Sequence, residues 1–84
     1  MIRAFVLIQT DIGSVSKVAD ELSRTEGVEA AHEITGPYDI IAQVVTLDLI
    51  SLGESVTNAI QRIDGVTRTL TCPTTREINI PGDL

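Results

Sequence analysis

Apolar positions along this chain follow two periods that alternate, and the alternation occurs twice. Residues 2–9 are apolar on both period-two faces, with Ile2, Ala4, Val6 and Ile8 on one and Phe5 and Leu7 on the other. A run of that kind predicts a strand in the middle of a sheet, with something covering each face. The period then lengthens: Val15, Val18, Ala19 and Leu22 follow the i, i+3, i+4, i+7 stripe of an amphipathic helix. Asp11 or Ser14 can cap it, and Gly27 can stop it in the left-handed conformation. Residues 28–35 alternate weakly, with Glu29 and Glu33 on one side, as an edge strand facing water does. Residues 40–47 are again apolar on both faces. Asp48 caps a second helix with the stripe Leu49, Leu52, Gly53, Val56, Ile60 and Ile63, stopped by Gly65. Residues 66–72 form a last strand, with Thr67, Thr69 and Thr71 on one face and Val66, Leu70 and Cys72 on the other. Residues 1–73 thus read as one domain. Residues 74–84, with Pro81 and Gly82, read as an extended tail in which residues 77–80 offer one more edge strand.

The two halves are marked by the same tripeptide pattern. Glu26-Gly27-Val28 and Asp64-Gly65-Val66 stand thirty-eight residues apart, each closing a βα unit and opening a strand. Two such units give βαββαβ, the α+β ferredoxin-like arrangement of a four-stranded antiparallel sheet with two helices on one face. The first and third strands are central in the usual order for this fold, and those two are the ones apolar on both sides. The helices cover only one face. Phe5, Leu7 and one alternate set of the third strand are left over, which predicts that a second copy covers the open face as a homodimer.

Composition narrows the function classes. Eighty-four residues make one domain, and a chain of this length buries only about 60 to 65% of its unfolded surface. Yet 43% of it is hydrophobic, more than two helices on a sheet require, which again points to a subunit interface. Twelve acids against six Lys and Arg give a formal charge of −6. With no basic cluster to displace counterions from phosphate, direct binding to nucleic acid is disfavoured, and so is an anionic membrane surface. The N-terminal run has no basic leader or cleavage site and no apolar stretch reaches the length of a membrane span, so a cytoplasmic location is expected.

Reactive groups are sparse. One Cys and one His, Cys72 and His32, fall on the fourth and second strands, at opposite edges of the inferred sheet, so they cannot form a nucleophilic dyad within one subunit. No metal-ligand spacing and no glycine-rich phosphate loop occurs, and neither metal nor cofactor is expected. Asp11, Asp39 and Asp48 each begin an element, where capping or turn chemistry accounts for them. The junction Thr35-Gly36-Pro37-Tyr38-Asp39 is the most unusual polar segment. It is a tight turn, with Gly for a positive φ and Pro to preset the next residue. It also offers backbone N–H groups to a carboxylate and the Asp39 carboxylate to an ammonium group, the two ends of a free amino acid. The threonine row of the last strand supplies hydroxyl groups to the same ligand, or is plain β propensity.

Thr35-Gly36-x-Tyr38-Asp39 before an apolar strand, with Asp64-Gly65-Val66-Thr67-Arg68-Thr69-Leu70-Thr71 further on, resembles the effector-binding (RAM) domain of the Lrp/AsnC transcriptional regulators over residues 1 to 73. The resemblance implies dimers joined through their sheets, dimers assembled into a ring, and a small effector, usually an amino acid, held between dimers. Carried over by position, it implicates Gly36, Tyr38, Asp39, Thr69 and Thr71 in ligand binding. Regulators of that family carry a helix-turn-helix before this domain, whereas here Met1 stands directly at the first strand. The chain is therefore expected to be a stand-alone effector module without DNA binding of its own, with a full-length Lrp/AsnC regulator as one partner. Two other classes fit the residues: a structural oligomer without ligand, and a cofactor-independent ferredoxin-like dimeric enzyme with His32 as its base.

Overall fold

The computed structural model describes residues 1–76, 78, 81 and 82. Four strands, β1 (Ile2–Thr10), β2 (Val28–Glu33), β3 (Ile40–Thr46) and β4 (Val66–Pro73), form an antiparallel sheet in the order β2-β3-β1-β4. Helix α1 (Val15–Leu22) joins β1 to β2. A second helical segment, α2, joins β3 to β4 and runs through Leu49–Ser51, a π-helical stretch at Leu52–Thr57, and Asn58–Gln61. The expected ferredoxin-like sheet is thus present, with β1 and β3 central. The extra strand expected at residues 77–80 lies outside the described residues.

The core lies between the helices and one sheet face. Ala4, Val6 and Ile8 of β1, Ile40, Ala42 and Val44 of β3, Val18 and Leu22 of α1, and Leu52, Val56 and Ile60 of α2 are all buried. Withdrawing a side chain of the Val or Leu class from water stabilises by about 1.5 to 3 kcal/mol, so this aliphatic cluster drives folding. The three buried residues of α2 are four apart. A strict α-helix carries such residues about 40° further out of line at each step, and the wider π turn takes up part of that drift. The stripe expected for α2 is correspondingly shorter at its start. Leu49 is 59% exposed, Gly53 is exposed, and Leu47 lies past the end of β3 rather than within it. Asp48 caps the helix as expected, its Oδ1 accepting the Ser51 N–H at 2.8 Å. At α1 the N-cap is Ser14, whose side chain makes no capping bond.

The repeated glycines do not end the helices directly, since α1 stops at Leu22 and α2 at Gln61. They turn the chain into β2 and β4 at φ +93° for Gly27 and +103° for Gly65. A Cβ on Gly65 would lie 2.9 Å from Ser14 Cβ, and one on Gly27 would lie 3.0 Å from Val56 Cγ2. Each glycine therefore lets a turn pack directly under the helix of the other half.

Two bulges change the side-chain faces expected from simple alternation. One lies between Val28 and Ala30 of β2. Beyond it Glu33 pairs with Ile40 on the helix-covered side, while Glu29 bonds Arg3 and Gln43 on the open side. The two acids are thus on opposite faces, not the same one. The other bulge faces Gln9 and Thr10, where Gln9 pairs with Arg68 but Thr10 with Val66. Val66 consequently packs against the core, and Thr67 turns to Gln9, away from the row of Thr69 and Thr71.

The open face carries Phe5 and Leu7 of β1, Ile41 of β3 and Leu70 of β4; Leu7 pairs with both Ile41 and Leu70, and Phe5 follows Leu7 on the same face. Phe5 is 37% and Leu70 46% exposed. His32 and Cys72 are on the outer strands β2 and β4 with two strands between them, as expected.

Candidate functional site

The junction between β2 and β3 is a loop held by its neighbours on every side. Gly36 has φ +147°, the positive value expected of this turn. The Asp39 N–H donates to Ile8 O at 2.9 Å, and the Ile34 N–H donates to Asp39 O at 2.9 Å. Gln9 Nε2 donates to Pro37 O at 3.2 Å. The Asp39 carboxylate itself accepts two bonds through Oδ2, from the Thr10 N–H at 2.8 Å and from the Thr10 hydroxyl at 3.2 Å. Its second oxygen has no partner among the described residues. Asp39 and Tyr38 are half-buried, while Thr35, Gly36 and Pro37 are exposed. The turn therefore holds the Asp39 carboxylate in a fixed orientation beside the exposed residues Thr35, Gly36 and Pro37.

Thr69 and Thr71 are elsewhere. They pair with Ile8 and Val6 of β1, whose side chains are core, so both threonines point under α2. Thr71 Oγ1 is 3.3 Å from Thr57 Oγ1, and Gln61 Nε2 donates to Thr69 Oγ1 at 3.0 Å. The two threonines, Thr57 and Gln61 line a polar seam between α2 and β4. Alternation in β4 showed the threonine row but not which face it took. Gln61 carried no motif signal, and only the position of α2 over β4 exposes its part in the seam.

The register sets Thr71 away from the end of the sheet at which Asp39 lies. Because β4 runs antiparallel to β1, its start lies at the Asp39 end: Thr10 pairs with Val66 and Ile8 with Thr69, whereas Thr71 pairs with Val6. Ile8 also pairs with Ile40, so Thr69 is separated from the start of β3 by two strand spacings, about 10 Å. One chain does not bring Asp39 and the threonines together around a single small ligand.

A cleft of about 500 Å³ opens at the opposite end of the molecule, lined by Met1, Thr25, Gly27, Leu47, Ser51 and Val56 among others. Two polar groups at its wall are committed to the fold, the Thr46 hydroxyl donating to Asp48 O and the Ser51 N–H to the Asp48 carboxylate. Among the described residues no group of three or more His, Cys, Asp and Glu side chains is placed to hold a metal, and no helix is long and apolar enough to cross a membrane. The Ser51 N–H holds the Asp48 carboxyl below its ordinary value, Lys17 does the same for Asp64, and the hydrogen bonds that Arg24 donates to Asp20 and Glu21 raise its guanidinium.

Comparison with known proteins gives one consistent result. The profile of the Lrp/AsnC ligand binding domain matches residues 3–82. An uncharacterized HTH-type transcriptional regulator of Pyrococcus abyssi is 33% identical over 70 residues, covering 83% of this chain and 44% of that protein. The chain thus spans less than half the length of this relative. A crystal structure of a protein from Thermus thermophilus superposes with a TM-score of 0.86 at 34% identity, over 95% of this chain and all of the other. The L-methionine complex of a transcriptional regulator from Neisseria meningitidis shares the fold, with a TM-score of 0.83 at 17% identity, over 94% of this chain and 53% of that one. The matched family is a ligand-binding domain, and the Pyrococcus and Neisseria proteins are transcriptional regulators, not enzymes.

Proposed function

We propose, for a chain that belongs to the Lrp/AsnC ligand-binding domain family, that the regulatory effector it senses is a free amino acid held at the β2–β3 junction. The observation carrying this reading is the Asp39 carboxylate. Its Oδ2 is occupied by Thr10 while Oδ1 is left for a cation, beside a Gly-bearing turn whose N–H groups suit a carboxylate. The ammonium group binds Asp39, the ligand carboxylate binds the turn at Gly36 and Tyr38, and Thr69 and Thr71 supply hydroxyl groups. The methionine bound to the Neisseria regulator is a ligand of the same chemistry. Since Asp39 and Thr69 are about 10 Å apart across β1, the threonines that meet a given ligand come from a neighbouring copy. The apolar open face joins two copies into a dimer, dimers associate into a ring, and a full-length Lrp/AsnC regulator can enter the same assembly.

Calorimetry with the twenty L-amino acids, on the wild type and on Asp39→Asn, tests the ligand. Asn keeps an oxygen for Thr10 and removes the charge. It should cost about 1.5 to 3 kcal/mol of affinity, the range for a hydrogen bond to a charged group. Equal affinities in two equally folded proteins would remove Asp39 from the site.

A further inference from the structure

Thr10 sits where β4 shifts register against β1, and its main chain and side chain both reach the same atom. The N–H and the hydroxyl donate to Asp39 Oδ2 at 2.8 and 3.2 Å in a part-buried setting. The preceding residue grips the same turn two positions upstream, with Gln9 Nε2 on Pro37 O. Gln9 is held in turn by β4, because the Thr67 hydroxyl lies 3.1 Å from Gln9 O and 3.3 Å from Gln9 Oε1. Bulges re-aim side chains in this way. Two donors on one oxygen fix both torsions of the Asp39 side chain and leave its other oxygen as the free acceptor.

We infer that Thr10 is a positioning residue: its hydroxyl orients the Asp39 carboxylate so that Oδ1 meets the ligand ammonium. The inference rests on the reading of Asp39 given above and adds a residue that makes no ligand contact itself. Without the hydroxyl, the Thr10 N–H still binds Oδ2, but the carboxylate regains rotation about its last torsion, which is broad for Asp. The free oxygen then has to be ordered when ligand binds.

The test uses Thr10→Val, a β-branched replacement that a strand accepts, with Thr10→Ser as the conservative variant and Asp39→Asn as the reference. Binding is measured for the twenty L-amino acids, and the strongest binder is carried forward together with its des-amino carboxylic acid. Thr10→Val should weaken the amino acid about tenfold and leave the des-amino acid unchanged, while Thr10→Ser restores the wild-type affinity. Equal weakening of both probes would make Thr10 a purely structural residue and overturn the inference. If Asp39→Asn weakens binding but Thr10→Val does not, the inference fails while the reading of Asp39 stands. If neither variant changes affinity, or if no amino acid binds the wild type, both fail.

Discussion

Substituting alanine for Gly65 tests the packing on which the two-fold repeat depends. At φ +103° an L-residue pays about 1 to 2 kcal/mol in steric energy. The added Cβ would also stand 2.9 Å from Ser14 Cβ and 3.1 Å from Val18 Cγ2. Ser14 Cβ is bonded to the backbone at the start of α1, so relief requires the helix to move, and overpacking of that kind costs about 1 to 3 kcal/mol. Alanine stiffens the unfolded chain and returns about 0.4 to 1 kcal/mol. The net loss is about 1.5 to 4 kcal/mol. Gly13→Ala is the control, because Gly13 has φ +83° but nothing within 4 Å of its Cβ position. It should lose only the conformational part. Thermal unfolding monitored by circular dichroism should therefore place Gly65→Ala below Gly13→Ala by at least about 4 to 8 °C, the shift for 1 kcal/mol in a domain of this size. Equal midpoints for the two variants would refute the argument that Gly65 is required by close approach as well as by its backbone angle.

Two further outcomes follow from the open face and from the acid groups. Leu70→Glu puts a charge on the outer strand β4 beside Leu7, at the margin of the apolar patch that Phe5, Leu7 and Ile41 continue, and sedimentation should show the proposed dimer dissociating to 9.0 kDa units at micromolar concentration; an unchanged mass would exclude the sheet face as the interface. Asp48 and Asp64 have carboxyls held below their ordinary value by Ser51 and Lys17 respectively, so the ionised forms are favoured in the fold. Their stabilisation is complete above the ordinary carboxylate value of about 3.9 and is lost as pH falls through the lowered folded values. Asp48→Ala should thus melt below the wild type at neutral pH and converge with it in acid; a constant gap would show that the capping carboxylate does not titrate as argued.

Strand order and core followed from periodicity because burial on both sides leaves a mark that survives any local irregularity. β1 and β3 are apolar at odd and even positions alike, which places them centrally without knowledge of register, and both stripes of α1 and α2 that reach the core lie at helical spacing. What periodicity misplaced depends on single residues. An extra residue in β2 reversed the face of Glu29 relative to Glu33, and another in β4 separated Thr67 from Thr69 and Thr71. A period of two inverts with every inserted residue, and nothing in the composition of these segments distinguishes a bulge from a regular strand. Leu49 has the spacing of the helical stripe, yet it stands one residue after the Asp48 cap and is exposed, and Leu47 lies past the end of β3.

The candidate site divides along the same line. Gly36 and Asp39 announced themselves through turn chemistry, which is local, and the positive φ of Gly36 is the value that turn requires. The direction of Asp39 was not local, since it depends on the Thr10 N–H and hydroxyl twenty-nine residues earlier. Those donors reach Oδ2 because β1 and β3 are antiparallel neighbours, which sets the end of β1 beside the start of β3. The antiparallel pairing of β1 with β4 carries Thr71 away from the junction and sets Thr69 two strands aside. A motif read along the chain treats Asp39 and the threonines as one constellation, whereas the sheet divides them between its third and fourth strands in sequence, with β1 between. For the two groups to serve one amino acid, the ligand must lie where the junction of one copy faces the α2–β4 seam of another, which makes assembly a condition of binding rather than its consequence.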